Sequence, residues 1–246
     1  MVAGPGRRLL RRLDRRAWRR FERAVLGVVD AAVVFTEKDR ERLTRVASGT
    51  PVVRIPIGTD AVRGTPAGGS STSANVLFVG NFVHPPNAAA AGRLVDRIFP
   101  LVRARVPVAA LTIVGAGAPE ELARSPGVQV PGRVESLAPY YGDTAVFAVP
   151  LELGGGMRVK VVEALAAGLP IVASPLAVEG LDVADGKEVL LATTDEEFAD
   201  RIVQVLETPE LRAGLAASSA AWARANLAWE AVCDAYDRLY ADLAAR

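Results

Sequence analysis

The chain has 246 residues, 50% of them hydrophobic and 23% charged, which fits a folded protein with a sizeable core and excludes wholesale disorder. Twenty-nine Lys and Arg against 28 Asp and Glu leave a net charge of +1, so overall charge gives no argument for nucleic acid as a partner. A single cysteine, Cys233, and a single histidine, His84, exclude a disulfide framework, a Cys-based zinc site and a multi-histidine metal cluster, so no metal is expected.

The even balance hides an asymmetry. Residues 1–23 hold nine arginines and two acids, a net +7, and the remainder carries −6. Arginine pairs recur every four residues with Leu9, Leu10, Leu13, Ala17, Trp18 and Phe21 between them, so a helix here has a broad basic face beside an apolar strip. Two readings stay open: peripheral contact with an anionic membrane, or a solvated helix that packs its Trp and Phe on the domain. No apolar run reaches the roughly 20 residues of a membrane-spanning helix, and no cleavage site follows the nearest one, 24–35, which Asp30 interrupts. The expectation is a cytoplasmic protein, at most peripheral to the inner face of the membrane.

Short β-branched runs then alternate with longer amphipathic or Ala-rich stretches. The pattern predicts strands near 31–35, 52–55, 75–80, 109–114, 128–130, 145–149, 171–173 and 189–192. Helices are predicted near 37–47, 87–105, 120–124, 157–167 and 195–207, with two more at 209–225 and 227–245. This alternation predicts an α/β fold with a parallel sheet covered on both faces. The Gly-, Ser-, Thr- and Pro-rich stretch 61–74 reads as a linker between a leading piece, 1–60, and an α/β domain that starts at 75 and ends in the carboxyl-terminal helices.

Ligands of an open parallel sheet sit at the carboxyl ends of its strands, so the loops that follow strands are the candidates. The first runs from Gly80 and Asn81 to Asn87. Gly80 lets the backbone approach a ligand and Asn87 is placed to cap the next helix, although an ordinary strand-to-helix turn explains both. The second, Gly115-Ala116-Gly117, lacks the third glycine and the acid of a dinucleotide fingerprint and reads as a tight turn. The third holds Gly154, Gly155, Gly156, Met157, Arg158, Lys160 and Glu163. Three glycines before a helix expose backbone N–H groups to an anion such as a diphosphate. Two cations in the first turn oppose the helix dipole, which a bound anion would compensate. Glu163 shares a face with Lys160, and its carboxylate is suited to accept two ribose hydroxyls. A Lys160–Glu163 surface pair is the plainer alternative.

The run from Gly154 to Pro170, with Ile171-Val172-Ala173-Ser174 and Glu179-Gly180-Leu181, resembles the donor-binding half of retaining glycosyltransferases of the GT-B fold, family four. Supporting stretches are Val34-Phe35-Thr36-Glu37-Lys38-Asp39-Arg40, Ile55-Pro56-Ile57-Gly58-Thr59-Asp60 and Val130-Pro131-Gly132-Arg133-Val134, so the likeness runs from about residue 18 to the end. The resemblance implies a Rossmann-like doubly wound sheet and a metal-independent, retaining hexosyl transfer. The nucleotide-diphosphate sugar is the co-substrate and no further cofactor is needed. It implies work on a cell-surface polysaccharide or glycoconjugate. It places the ribose on Glu163, diphosphate and sugar on Gly154 to Met157, a ligand contact at Gly80, and the base near Gly132 and Arg133.

Departures accompany the likeness. The family's second glutamate falls on Gly155, and the arginine and lysine of its first phosphate loop fall on Asn81 and Asn87, so Arg158 and Lys160 are expected to supply the charge. Family members carry a full amino-terminal acceptor domain, of which residues 1–60 resemble only the last helix, strand and helix. This makes the arginine-rich start the tail of such a domain. The expectations are therefore a glycosyltransferase's donor half, a non-catalytic nucleotide-sugar-binding subunit served by a separate acceptor-binding domain or subunit, or an inactive fragment. No catalytic residue is named.

Overall fold

A computed structural model describes residues 5–60, 73–154 and 156–245, with side chains from residue 14 onward. Two compact units emerge: residues 58–231, and residues 1–57 with 232–246. Residues 61–72 of the expected linker lie outside the described residues.

In the larger unit six strands form one parallel sheet. They are β3 (Asn75–Val79), β4 (Ala110–Val114), β5 (Val128–Gly132), β6 (Val146–Val149), β7 (Ile171–Ala173) and β8 (Leu190–Leu191). Their order is β5-β4-β3-β6-β7-β8, with Leu77 paired to Thr112 on one side and to Phe147 on the other. The chain winds outward from β3 and then returns to β6 on the opposite side, so its direction of winding reverses between β3 and β6. Continuous apolar runs such as Val76-Leu77-Phe78 and Val146 to Val149 are buried on both faces, as a covered parallel sheet requires. The polar members of β3 and β4 satisfy one another, Thr112 Oγ1 donating to Asn75 Oδ1 at 3.0 Å. The doubly wound α/β fold expected from the sequence is present.

Helices cover the sheet. α3 (Pro85–Arg93) passes through a π-helical stretch, Leu94–Ile98, into α4 (Phe99–Arg105). The expected single helix at 87–105 thus starts two residues earlier, because Pro85 and Pro86 suit a first turn, where no N–H is needed. A short α5 (Ala138–Gly142) precedes β6, and α6 (Val159–Ala166) follows it with Val161, Val162, Ala164, Leu165 and Ala166 buried. α7 (Asp195–Glu207) opens on a capping box in which Thr194 and Glu197 satisfy each other's backbone N–H groups. α8 (Pro209–Leu227) follows, and α9 (Trp229–Ala244) belongs from Val232 onward to the smaller unit. Phe78, Phe147, Phe99 and Phe198 are among the largest fully buried side chains, each worth roughly 1.5–3 kcal/mol relative to exposure.

The smaller unit contains α1 (Pro5–Leu26), β1 (Ala32–Val34), α2 (Glu37–Thr44) and β2 (Val52–Arg54), with β1 and β2 parallel. Thr36 caps α2 by accepting the Asp39 N–H at 3.1 Å. Trp18 and Phe21 of α1 are each 57% exposed, their rings 5.5 Å apart. No helix among the described residues is long and apolar enough to cross a membrane.

Candidate functional site

A cavity of about 570 Å³ opens between the loop after β3 and the loop after β6, where the winding reverses. The β3 side is built on tight backbone packing. Gly115, after β4, has φ +144°, and a Cβ there would lie 1.7 Å from the Gly80 carbonyl oxygen. Only glycine lets the two loops meet, so the second sequence motif supports the first. Asn81 Oδ1 accepts the Val83 N–H at 3.1 Å, closing the turn that carries His84 to the amino end of α3.

Asn87 does not cap that helix. His84 holds the cap position, and Asn87, one turn in, donates Nδ2 to the Asn81 carbonyl at 2.7 Å. Its Oδ1 accepts from Lys160 Nζ at 2.6 Å, which joins α3 to α6 across the cavity. Lys160 therefore pairs with Asn87 and not with Glu163, contrary to the surface-pair alternative.

On the β6 side, Gly154 takes φ +125°, and a Cβ there would stand 3.6 Å from Pro86 and from Arg158. Arg158 caps α6 and so sits just before the first turn in which the sequence placed it. Its side chain is buried and donates Nη1 to the Gly156 carbonyl at 2.9 Å. This guanidinium thus braces the glycine loop from within.

A cation and an acid on successive turns of α6 line the cavity. Burial, with the neighbouring Arg158 charge, lowers the Lys160 ammonium pKa from 10.5 to about 8. Its Nζ also lies 4.6 Å from the centre of the Phe78 ring, a cation–π contact that offsets part of the desolvation. One turn further, burial raises the Glu163 carboxyl above its ordinary value. Burial first, and then the Glu163 charge, push the Tyr141 hydroxyl well above its usual range, so α5 faces the acid. Among the described residues no group of three or more His, Cys, Asp or Glu is placed to hold a metal ion.

The cavity brings together Gly80, Asn81, Asn87, Gly154, Met157, Arg158, Lys160 and Glu163. Gly156 adjoins it without lining it, and Gly155 lies outside the described residues. Gly132 ends β5 and Arg133 follows it; β5 is separated from β3 by β4, and neither residue lines the cavity. Sequence reasoning missed His84, Leu151, Leu153 and Val159, which line it, and Tyr141, which faces Glu163. His84 was legible as the sole histidine inside a candidate loop; Tyr141 carried no signal because α5 is too short to show a period.

Comparison with known proteins decides the family. The model for glycosyl transferases group 1 matches residues 73–208, more than half of the chain and all of the sheet that holds the cavity. The chain belongs to the glycosyl transferases group 1 family. A phosphatidyl-myo-inositol mannosyltransferase of Mycolicibacterium smegmatis is 30% identical over 184 residues, covering 70% of this chain and 47% of that protein. A GDP-mannose-dependent monoacylated α-(1-6)-phosphatidylinositol monomannoside mannosyltransferase of Corynebacterium glutamicum is 31% identical over 200 residues, covering 72% and 52%. This group 1 chain therefore spans about half the length of these curated relatives. Its fold matches S. aureus TarM, solved with UDP, with a TM-score of 0.74 at 17% identity over 87% of this chain and 44% of that one.

Proposed function

We propose that this group 1 chain supplies the donor-binding half of a glycosyltransferase, holding a nucleotide-diphosphate sugar in the cavity between β3 and β6. One observation carries the reading: a glycine loop, a buried arginine, a half-buried lysine and an acid one turn on converge on that cavity. In it the diphosphate lies against the N–H groups of Gly154 to Met157 and the charges of Arg158 and Lys160, and the ribose hydroxyls donate to Glu163. These cations take the place of the divalent ion that a diphosphate otherwise recruits, so transfer proceeds without metal. The base extends toward Gly132 and Arg133. Retention at the anomeric carbon follows from the family resemblance. The donor domain comprises residues 75–246, and the acceptor site lies outside these 246 residues, as the partial coverage of the relatives supports. The relatives' names favour GDP-mannose as donor and a phosphatidylinositol lipid as acceptor, which the enzyme would meet at the inner face of the membrane.

Calorimetric titration of the chain with GDP, UDP and ADP tests the reading. Binding of one in preference to the others is the expected result. No binding of any overturns it for this chain.

A further inference from the structure

Arg93, at the end of α3, is 5% exposed and sits where that helix gives way to the π-helical stretch Leu94–Ile98. π-Helical insertions recur beside functional sites because they redirect a side chain within an otherwise regular helix. The guanidinium reaches two segments. Nε donates to Asp195 Oδ1 at 2.6 Å, and Nη2 donates to the Thr193 carbonyl at 2.7 Å, both at the start of α7. Nη1 turns the other way, donating to the Pro150 carbonyl at 3.4 Å and lying 3.5 Å from Glu152 Oε1. The Phe198 ring lies beneath the guanidinium at 5.1 Å.

Asp195 is shared, its Oδ1 taking Arg93 and its Oδ2 pairing with Arg97, so the contacts at α7 engage only the Nε and Nη2 side of the Arg93 guanidinium. The Nη1 contacts fall instead at the root of the loop that carries Gly154. Leu151 and Leu153 line the cavity, but Glu152 between them does not; its side chain is 61% exposed and held toward Arg93. A carboxylate released from that position would stand on the loop that the proposed function assigns to the diphosphate. We infer that Arg93 is a positioning residue for the donor loop, fixing the Pro150 carbonyl and drawing the Glu152 carboxylate away from the anion site. The inference rests on the donor-site reading above.

The test titrates the full chain with a nucleoside diphosphate and with the matching nucleoside, recording thermal midpoints beside the affinities. Arg93→Met is expected to weaken the diphosphate about tenfold, the scale of one like-charge approach in a half-buried site, with the nucleoside unchanged within about twofold. Adding Glu152→Gln to Arg93→Met is expected to restore at least about half of that loss on a logarithmic scale, a rescue that a purely structural role does not give. Arg93→Lys keeps the buried charge and loses the planar fork, so it falls between the two and carries the test if Arg93→Met does not fold. Equal loss of both ligands, no rescue by Glu152→Gln, or wild-type diphosphate affinity in Arg93→Lys overturns the inference. A wild-type chain that binds neither ligand overturns the donor-site reading itself, whereas wild-type binding that ignores Arg93 overturns only its positioning role.

Discussion

Lys160 Nζ donates to Asn87 Oδ1 at 2.6 Å, so a polar link between α3 and α6 runs through an ammonium whose proton is loosely held. Its pKa of about 8 gives the cavity a titratable charge near neutrality, with Arg158 as the cation behind the shift. Diphosphate affinity is expected to fall as pH rises through about 8 and beyond, while nucleoside affinity stays flat. Lys160→Arg, which keeps its proton, should remove that fall. The sign for stability is opposite. Between about 8 and 10.5 the unfolded chain binds a proton that the folded chain has released, so this group's contribution to stability rises across that window. Affinities and unfolding free energies between pH 7 and 10 check both signs.

Glu163→Ala is expected to weaken nucleoside diphosphate binding by about 1–3 kcal/mol, the scale of hydrogen bonds to a charged group, with little change in thermal midpoint. Because burial raises the Glu163 pKa, wild-type affinity should also decline on acidification as the carboxylate gains its proton and loses acceptor strength. An affinity indifferent to Glu163→Ala would remove the ribose assignment.

Arg158→Ala combined with Lys160→Ala should weaken diphosphates by at least about 2 kcal/mol and nucleosides by far less. The diphosphate-to-nucleoside affinity ratio is the quantity to follow. Equal effects on both ligands would show that neither cation meets phosphate.

Gly115→Ala sets a Cβ 1.7 Å from the Gly80 carbonyl at a φ of +144° and is expected to destabilise the fold by about 3 kcal/mol or more. Gly132→Ala, at φ +74° with open space around it, should cost only about 1–2 kcal/mol. Denaturant midpoints of the two variants separate the clash from the backbone strain.

Much of the sheet was legible because buried parallel strands are uniformly apolar and bounded by loops, and all six strands of the larger unit fall at or beside their expected positions. The glycine loop with Arg158, Lys160 and Glu163 was legible because four unusual residue types crowd into ten positions. The interruption at 94–98 was not, since an insertion within an apolar helix leaves hydrophobic spacing almost intact. The role of Asn87 was misread because an Asn near a helix start looks like a cap, whereas the two prolines before it start the helix at Pro85 and leave the cap position to His84.

The sequence by itself determined the class of fold and marked the glycine-bearing loops after β3 and β6, since both follow from local pattern and side-chain chemistry. Tertiary structure alone decided which loops meet. Gly80 and Gly115 touch because β3 and β4 are neighbours in the sheet, and Lys160 finds Asn87 because the winding reverses between β3 and β6. Arg93 reaches Glu152 and Asp195 across 59 and 102 residues of chain, by a strand order that no local window of sequence contains.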